Sequence, residues 1–339
     1  MQNTSDATLL SVDEVYQLAL VALLGCGVLE DNAKSVAESI RAAEADDMHS
    51  HGLMRLPAYC RHVLSGKVNG CALPVLQQAM PGAVLVDAAH GFAHPAIDLG
   101  LPSLIAAARK LGIAMLGVTN SYNAGAMGYH VERLAEQGML GIAVANAPAA
   151  VAPWGGIKPV FGTNPIAFSA PGPNGPALVI DQACTVAARG EVVRKSLAGE
   201  LLPEGWALDD RGIPTREPQA ALAGTMLPMA GPKGVNLAWI VEALSSALTG
   251  ANPSHRASSV IDDEGDPPGI GQTIIAIHPD AFLPGFSHRI DEVCDQVRRE
   301  PRARLPGEGR WRARAESKVR GVLVNRRLYE EIKAFCQNQ

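Results

Sequence analysis

From about residue 115 to about residue 285 the chain alternates short apolar stretches with loops rich in glycine and proline. "IAMLGVTN", "LGIAVANA", "PIAFSAP", "ALVIDQA" and "QTIIAIHP" have the length and composition of buried strands, and loops such as "APWGGIKPVFGTNP" and "APGPNGP" separate them. This pattern commits the middle of the chain to a sheet. The ends read differently. Ser11 and Glu14 have the spacing of a capping box before "VYQLALVALLGCG", and a second helical pattern runs from near Asp31 through "AKSVAESIRAAEADD". After a short strand, "GAVLVDA", helical spacing returns in "AIDLGLPSLIAAARKLG", ended by Gly112. Two helices, "YHVERLAEQG" and "LAWIVEALSSALTG", interrupt the strands. Near the C-terminus "SHRIDEVCDQVRRE" and "RRLYEEIKAFCQ" read as helices flanking a basic loop, "PRARLPGEGRWRARAES". The implied fold is mixed α/β. A helical outer domain, residues 1–114 plus 286–339, encloses a strand-rich central domain, residues 115–285.

Composition removes several function classes. Apolar residues make up 47% and charged residues 19%, which provides a sizeable core. The net charge of −5, the absence of a basic tract and an aromatic content of 4% argue against a nucleic-acid partner. Six cysteines lie far apart with no CxxC pair, so reduced thiols in a cytoplasmic protein are expected. No basic segment followed by an apolar run opens the chain, and no 18-residue apolar run follows, so neither secretion nor a membrane span is expected.

GxGxxG between a strand and a helix is absent, as are GxxxxGK[ST] and HExxH, and no cluster has metal-ligand spacing. A dinucleotide bound here is therefore not held by the ordinary Rossmann loop, and no metal is expected. "ADDMHSHGLMRLPAY" (45–59) is the densest polar segment. On a helix starting near Ser50, residues His51, Arg55 and Tyr59 share one face, provided that Pro57 sits in a first turn. The set offers a proton donor near neutral pH and a planar cation that grips a carboxylate. It reads as well as a capped helix end with surface histidines.

Other segments carry single signals. Thr163 and Asn164 close the loop 152–165, which reads as a structural crossover or as a source of hydrogen bonds. In "VIDQACTVAARGEV", Asp181 ends a strand, where a carboxylate holds a ribose hydroxyl, orients an imidazole or forms a surface ion pair. Arg189, Gly190 and Glu191 follow. "GPKG" sets Lys233 and Gly234 at a helix start, a place for a phosphate. "RLPGEGR" (304–310) is a basic turn; Pro306, Gly307, Glu308 and Arg310 meet either a cofactor phosphate or solvent.

Taken in order, "DDMHSHGLMRLPAY", "VERLAEQGMLGIAVANAP", "APWGGIKPVFGTNPIAFSAP", "LPEGWALD", "LPMAGPKG" and "LTGA" resemble the malate/L-lactate dehydrogenase family. This non-Rossmann group includes sulfolactate and ureidoglycolate dehydrogenases and the pyrroline- and piperideine-2-carboxylate reductases. The resemblance implies a homodimer with shared active sites, an NAD(P)H site in the central domain and a small carboxylate substrate. It implies that His51 is the proton donor or acceptor, Ser50 its hydrogen-bonded partner and Arg55 the carboxylate ligand. Asp181, Gln182 and Ala183 match a cofactor-binding strand end. Thr163 matches a substrate or cofactor contact, and Lys233 and Gly234 another cofactor contact. In the imine-reductase branch an acid after "ARG" joins the Ser-His pair, and Glu191 stands there. Where many members carry a histidine after the strand at 113–119, this chain has Asn123, which can hydrogen-bond a substrate oxygen but cannot relay a proton. The expected reaction is hydride transfer to C2 of a 2-oxo acid, or alternatively to a cyclic imine. His49 is expected on the surface, apart from the chemistry.

Overall fold

In the computed structural model, which describes residues 7–337, β1 (Ala7–Leu10) precedes α1 (Val12–Gly25) and α2 (Glu30–Ala45). Two 3-10 turns, His49–His51 and Leu53–Arg55, lead into α3 (Leu56–Leu64). Next come β2 (Val75–Met80), β3 (Ala83–Asp87), α4 (Ala93–Leu111), β4 (Ile113–Ser121), α5 (Met127–Glu136) and β5 (Leu140–Ala145). β6 (Ile166–Gly172), β7 (Gly175–Gln182), α6 (Arg189–Ala198), β8 (Ala207–Leu208), β9 (Pro214–Thr215), α7 (Pro218–Ala223) and β10 (Thr225–Met226) follow. The chain finishes with α8 (Pro232–Glu242), β11 (Ile270–Ile277), α9 (Phe286–Arg298), α10 (Glu308–Arg320), β12 (Val322–Asn325) and α11 (Arg326–Phe335).

The apolar stretches pair into one seven-stranded sheet, in the order β2-β3-β4-β11-β5-β6-β7, so the fold is mixed α/β as the sequence implies. Only β3 and β4 pair parallel, joined by the crossover helix α4. β11 lies antiparallel between β4 and β5, and β6 lies antiparallel between β5 and β7. β3, β4, β5 and β7 therefore run the same way, and their C-terminal ends gather at one edge. Ligands of open α/β sheets bind outside such strand ends.

Alternating residues of β4 (Ala114, Leu116, Val118) pack beneath α4 and α5 with Ile97, Leu104, Val131 and Leu134, all fully buried or nearly so. Each Leu or Val there contributes about 1.5–3 kcal/mol. The other face carries α8, whose Val235 and Ala238 share a core with Val144, Val151 and Phe161. A separate core joins Val15, Leu23, Ile40, Leu56 and Ile332, and β1 pairs antiparallel with β12. The two ends of the chain thus share one body. The Ser11–Glu14 capping box is present, with the Ser11 N–H donating to Glu14 at 2.7 Å and the Glu14 N–H to Ser11 Oγ at 3.2 Å.

Two sequence expectations change. β2, β3 and α4 precede residue 115, yet they belong to the sheet and its covering layer, so the sheet draws strands from both sides of the 114/115 division. The basic segment after α9 is largely helix rather than loop: α10 forms because Glu308 accepts the Leu305 N–H at its start and Trp311 and Arg314 find buried partners. Neither cause shows in hydrophobic periodicity.

Candidate active site

α2 stops at Asp46, and the chain turns through two 3-10 turns separated by Gly52 before α3. Pro57 lacks an N–H and is accommodated only in the first turn of α3. His51, Arg55 and Tyr59 consequently do not stack on one helix as their spacing suggests. The double turn still brings them together, because the Arg55 charge acts on both His51 and Tyr59. Ser50 Oγ and His51 Nδ1 are hydrogen-bonded at 3.1 Å, which leaves Nε2 as the free ring nitrogen. Burial, then the positive charges of Arg55 and Arg310, push His51 down to about 4. The ring is thus largely uncharged at neutral pH in the free protein.

The Arg55 side chain makes no ion pair or hydrogen bond among the described residues, and its Nε is buried without a partner. A partly buried guanidinium with its Nε left this way is an open site for an anion. Tyr59, almost fully buried, donates its hydroxyl proton to Asn123 Oδ1 at 3.0 Å. The Gly125 N–H donates to the same oxygen at 2.7 Å, which fixes the orientation of the amide. The Asn123 NH2 group therefore keeps its two donors for a ligand.

The facing wall comes from the end of β7 and the start of α10. Asp181 Oδ2 accepts the Gly128 N–H at 2.8 Å, and burial raises the carboxyl against the opposing effects of that N–H and of Arg310. A Cβ on Gly128 would stand 2.4 Å from Arg310 Nη1 and 3.0 Å from Asp181 Oδ2, so the glycine leaves room for this close approach. The Pro306 carbonyl accepts the Val179 N–H at 3.1 Å, tying the loop to the sheet edge. Asp46, Asp47, Asp181, Gln182, Arg304 and Arg310 line a cleft of about 600 Å3 here, together with Gly307 and Gly309. One turn along α10, Arg314 binds Asp46 at 2.6 and 2.8 Å and Glu132 at 2.8 and 2.9 Å. That clamp holds α10, and with it Arg310, against the catalytic turn.

Several expected contacts are arranged otherwise. Glu191 lies beside the turn, since a Cβ on neighbouring Gly190 would be 3.6 Å from Ser50 Cβ. Its carboxylate nevertheless faces Arg194 on its own helix, at 2.7 and 2.9 Å, and that pairing holds it below the usual range. The expected Ser-His-Glu relay is therefore not closed. Arg189 points inward and donates to the Ala149 and Leu222 carbonyls at 3.0 and 3.5 Å, joining loops rather than presenting a free cation. Glu308 accepts the Leu305 N–H at 3.1 Å and lies 3.7 Å from Arg298, which makes it a cap. The Thr163 carbonyl accepts the Cys184 N–H at 2.8 Å, close beyond Ala183. Lys233 is exposed on the first turn of α8, and Gly234 packs where a Cβ would stand 2.3 Å from the Met229 carbonyl oxygen. Gln182 is exposed, with only Met229 Sδ at 3.9 Å. Sequence reasoning missed Glu44, Gly128 and Arg314, whose partners lie on other elements; His49 is exposed as expected, but its pairing was missed. That ring sits between Glu44, at 2.6 Å, and Asp47, at 2.8 Å.

This geometry can be set beside known proteins. The model of the malate/L-lactate dehydrogenase family matches residues 10–333. The chain belongs to that family. A Delta(1)-pyrroline-2-carboxylate reductase of Ancylobacter novellus is 42% identical over 330 residues, 96% of this chain and 97% of that protein. A (2R)-3-sulfolactate dehydrogenase (NADP(+)) of Chromohalobacter salexigens is 40% identical over 329 residues, 97% and 98% of the two chains. The crystal structure of delta1-piperideine-2-carboxylate reductase from Pseudomonas syringae superposes with a TM-score of 0.92 at 35% identity, covering 97% and 99%. This member of the malate/L-lactate dehydrogenase family is accordingly an enzyme, an NAD(P)-dependent oxidoreductase. The cleft suits NAD(P)H: Arg304 and Arg310 have no protein partner among the described residues, Gly309 leaves the start of α10 open, and the Asp181 carboxylate faces the same space.

Proposed function

We propose that the enzyme reduces the C=N bond of a small cyclic imine carrying a carboxylate at C2. The observation that carries this reading is the setting of His51, its Nδ1 bound to Ser50 and its ring beside the Arg55 and Arg310 cations, where burial and those charges favour the uncharged form. An imine nitrogen is basic enough to arrive protonated, and reduction of the iminium then needs no proton from the protein. Reduction of a ketone does need one, at the developing alkoxide. Arg55, half-buried and with an unpaired side chain, binds the carboxylate through two parallel hydrogen bonds. His51 Nε2 accepts the iminium N–H, with the ring fixed through Nδ1 by Ser50. Asn123 offers its NH2 from the opposite side, steadied by Tyr59 and Gly125. NAD(P)H supplies the hydride when bound. Asp181, Gln182 and Ala183, the loop of Pro306, Gly307 and Arg310, and the Lys233–Gly234 turn would hold it, with Thr163 and Gly190 lining its approach. The pyrroline- and piperideine-2-carboxylate reductases among the similar proteins support this reading.

A second reading, interconversion of a 2-oxo and a 2-hydroxy acid, is favoured by the similarity to the sulfolactate dehydrogenase. A carboxylate on Arg55 would cancel one of the two charges that hold His51 down, and His51 would then act as proton donor. Initial rates with NADH and NADPH across cyclic imines and 2-oxo acids separate the two. We expect kcat/KM for the imines to exceed that for the oxo acids by at least about 100-fold. The reverse order would leave the hydroxy-acid reading.

We also propose a homodimer with shared sites, supported by the exposed Trp154, Trp239 and Ile240 around α8, and a cytoplasmic location, supported by six unpaired cysteines. In the same reading the sheet is the NAD(P)-binding body, and the helices near the two chain ends form the outer one. No described helix is long and apolar enough to cross a membrane.

A further inference from the structure

We infer that Glu44, together with His49, is the positioning device of the catalytic turn. One buried carboxylate holds residues 49–53 so that Ser50 and His51 keep their shared geometry. The inference rests on the reading of His51 as the group facing the reacting bond.

Glu44 lies in the last turn of α2 and is 3% exposed. Its Oε1 accepts the Leu53 N–H at 2.6 Å, and its Oε2 accepts from His49 Nδ1 at 2.6 Å. These two bonds bracket Ser50, His51 and Gly52. A Cβ on Gly52 would stand 2.1 Å from Oε1, so the glycine is what lets the carboxylate reach the turn from beneath. A buried carboxylate needs a charge partner, and His49 supplies it. His49 Nε2 in turn lies 2.8 Å from Asp47. Glu44 from α2 and Asp47 from the turn are the ionisable groups facing this ring, and they raise its pKa, the Glu44 hydrogen bond foremost, against the opposing effect of burial. Glu44 does not line the cleft. It acts on the reaction through the turn alone, as a positioning residue.

The test uses the full-length enzyme and whichever substrate class it turns over. Glu44→Ala should lower kcat by about 10- to 100-fold, because a displacement near 1 Å costs on that order, with a smaller change in KM. His49→Gln alters a half-exposed side chain and keeps the test open if Glu44→Ala folds poorly; its kcat should fall about fivefold at pH 6. The kcat ratio of wild type to His49→Gln should shrink as pH rises, because only protonated His49 bridges both carboxylates. The titration of His51 is common to both proteins and cancels in the ratio. Independently of turnover, amide exchange at Leu53 should quicken at least about tenfold in Glu44→Ala. A pH-independent ratio, unchanged kcat in folded variants or unchanged Leu53 exchange would overturn the inference. An active wild type with normal variants fails this inference alone, whereas a wild type inert towards both substrate classes fails the functional reading and leaves Leu53 exchange to decide here.

Discussion

Arg314 and Arg55 border the same turn and are treated in opposite ways. Arg314 is clamped by four short contacts to Asp46 and Glu132, which raise its pKa further. Arg55 has no protein partner and a buried orphan Nε. The first joins three elements, α10, the end of α2 and α5, and the fold neutralises it. The second is left for a ligand to complete. A half-buried cation with an unpaired Nε gains nothing from the fold, so something other than stability retains it.

The contrast is broken most directly by removing each cation. Arg314→Leu strands two buried carboxylates and should cost about 3–5 kcal/mol in urea unfolding. Arg55→Leu removes an uncompensated charge and should change stability by no more than about 1 kcal/mol, in either direction. Equal losses would erase the distinction.

A smaller effect concerns buried histidines kept uncharged. His94 and His130 are fully buried, pushed down by burial to about 3 and about 4. His130 Nε2 donates to the Ala124 carbonyl at 2.9 Å, in the loop that carries Asn123. Below pH 6.5 the unfolded chain takes up protons that these folded groups refuse. Stability should therefore fall as pH drops from 6.5 towards 4, by about 1.4 kcal/mol per pH unit for each. His49 runs the other way: its raised pKa gives stability that is fully present below 6.5 and lost as pH rises through the folded value. Urea midpoints at pH 7 and pH 5 measure the acid limb, and His94→Leu should make it shallower.

The strands and most helices were legible because their signal is local periodicity. Ser11 and Glu14 announced a cap, and the Ser50–His51–Arg55 cluster announced a site. The insertion of β11 between β4 and β5 was not legible, because strand order depends on contacts about 130 to 160 residues apart in sequence. α10 is hidden in the sequence because its helix is held by Trp311 and Arg314 binding Glu132 and Asp46. Glu191 and Arg189 had the right neighbours in sequence, but their side chains satisfy Arg194 and two backbone carbonyls. His49 is exposed as its sequence suggests, but its pairing was not legible because its partner Glu44, five residues earlier, gives no sign in sequence of being buried.

The central claim is that Arg55 waits for the substrate's carboxylate. Its most direct test compares kcat/KM for the preferred carboxylate substrate and for the matching carboxamide, in wild type and in Arg55→Gln. Wild type should favour the carboxylate by about 100- to 1,000-fold, and the variant by less than about fivefold. A variant that still discriminates as wild type does would contradict the account.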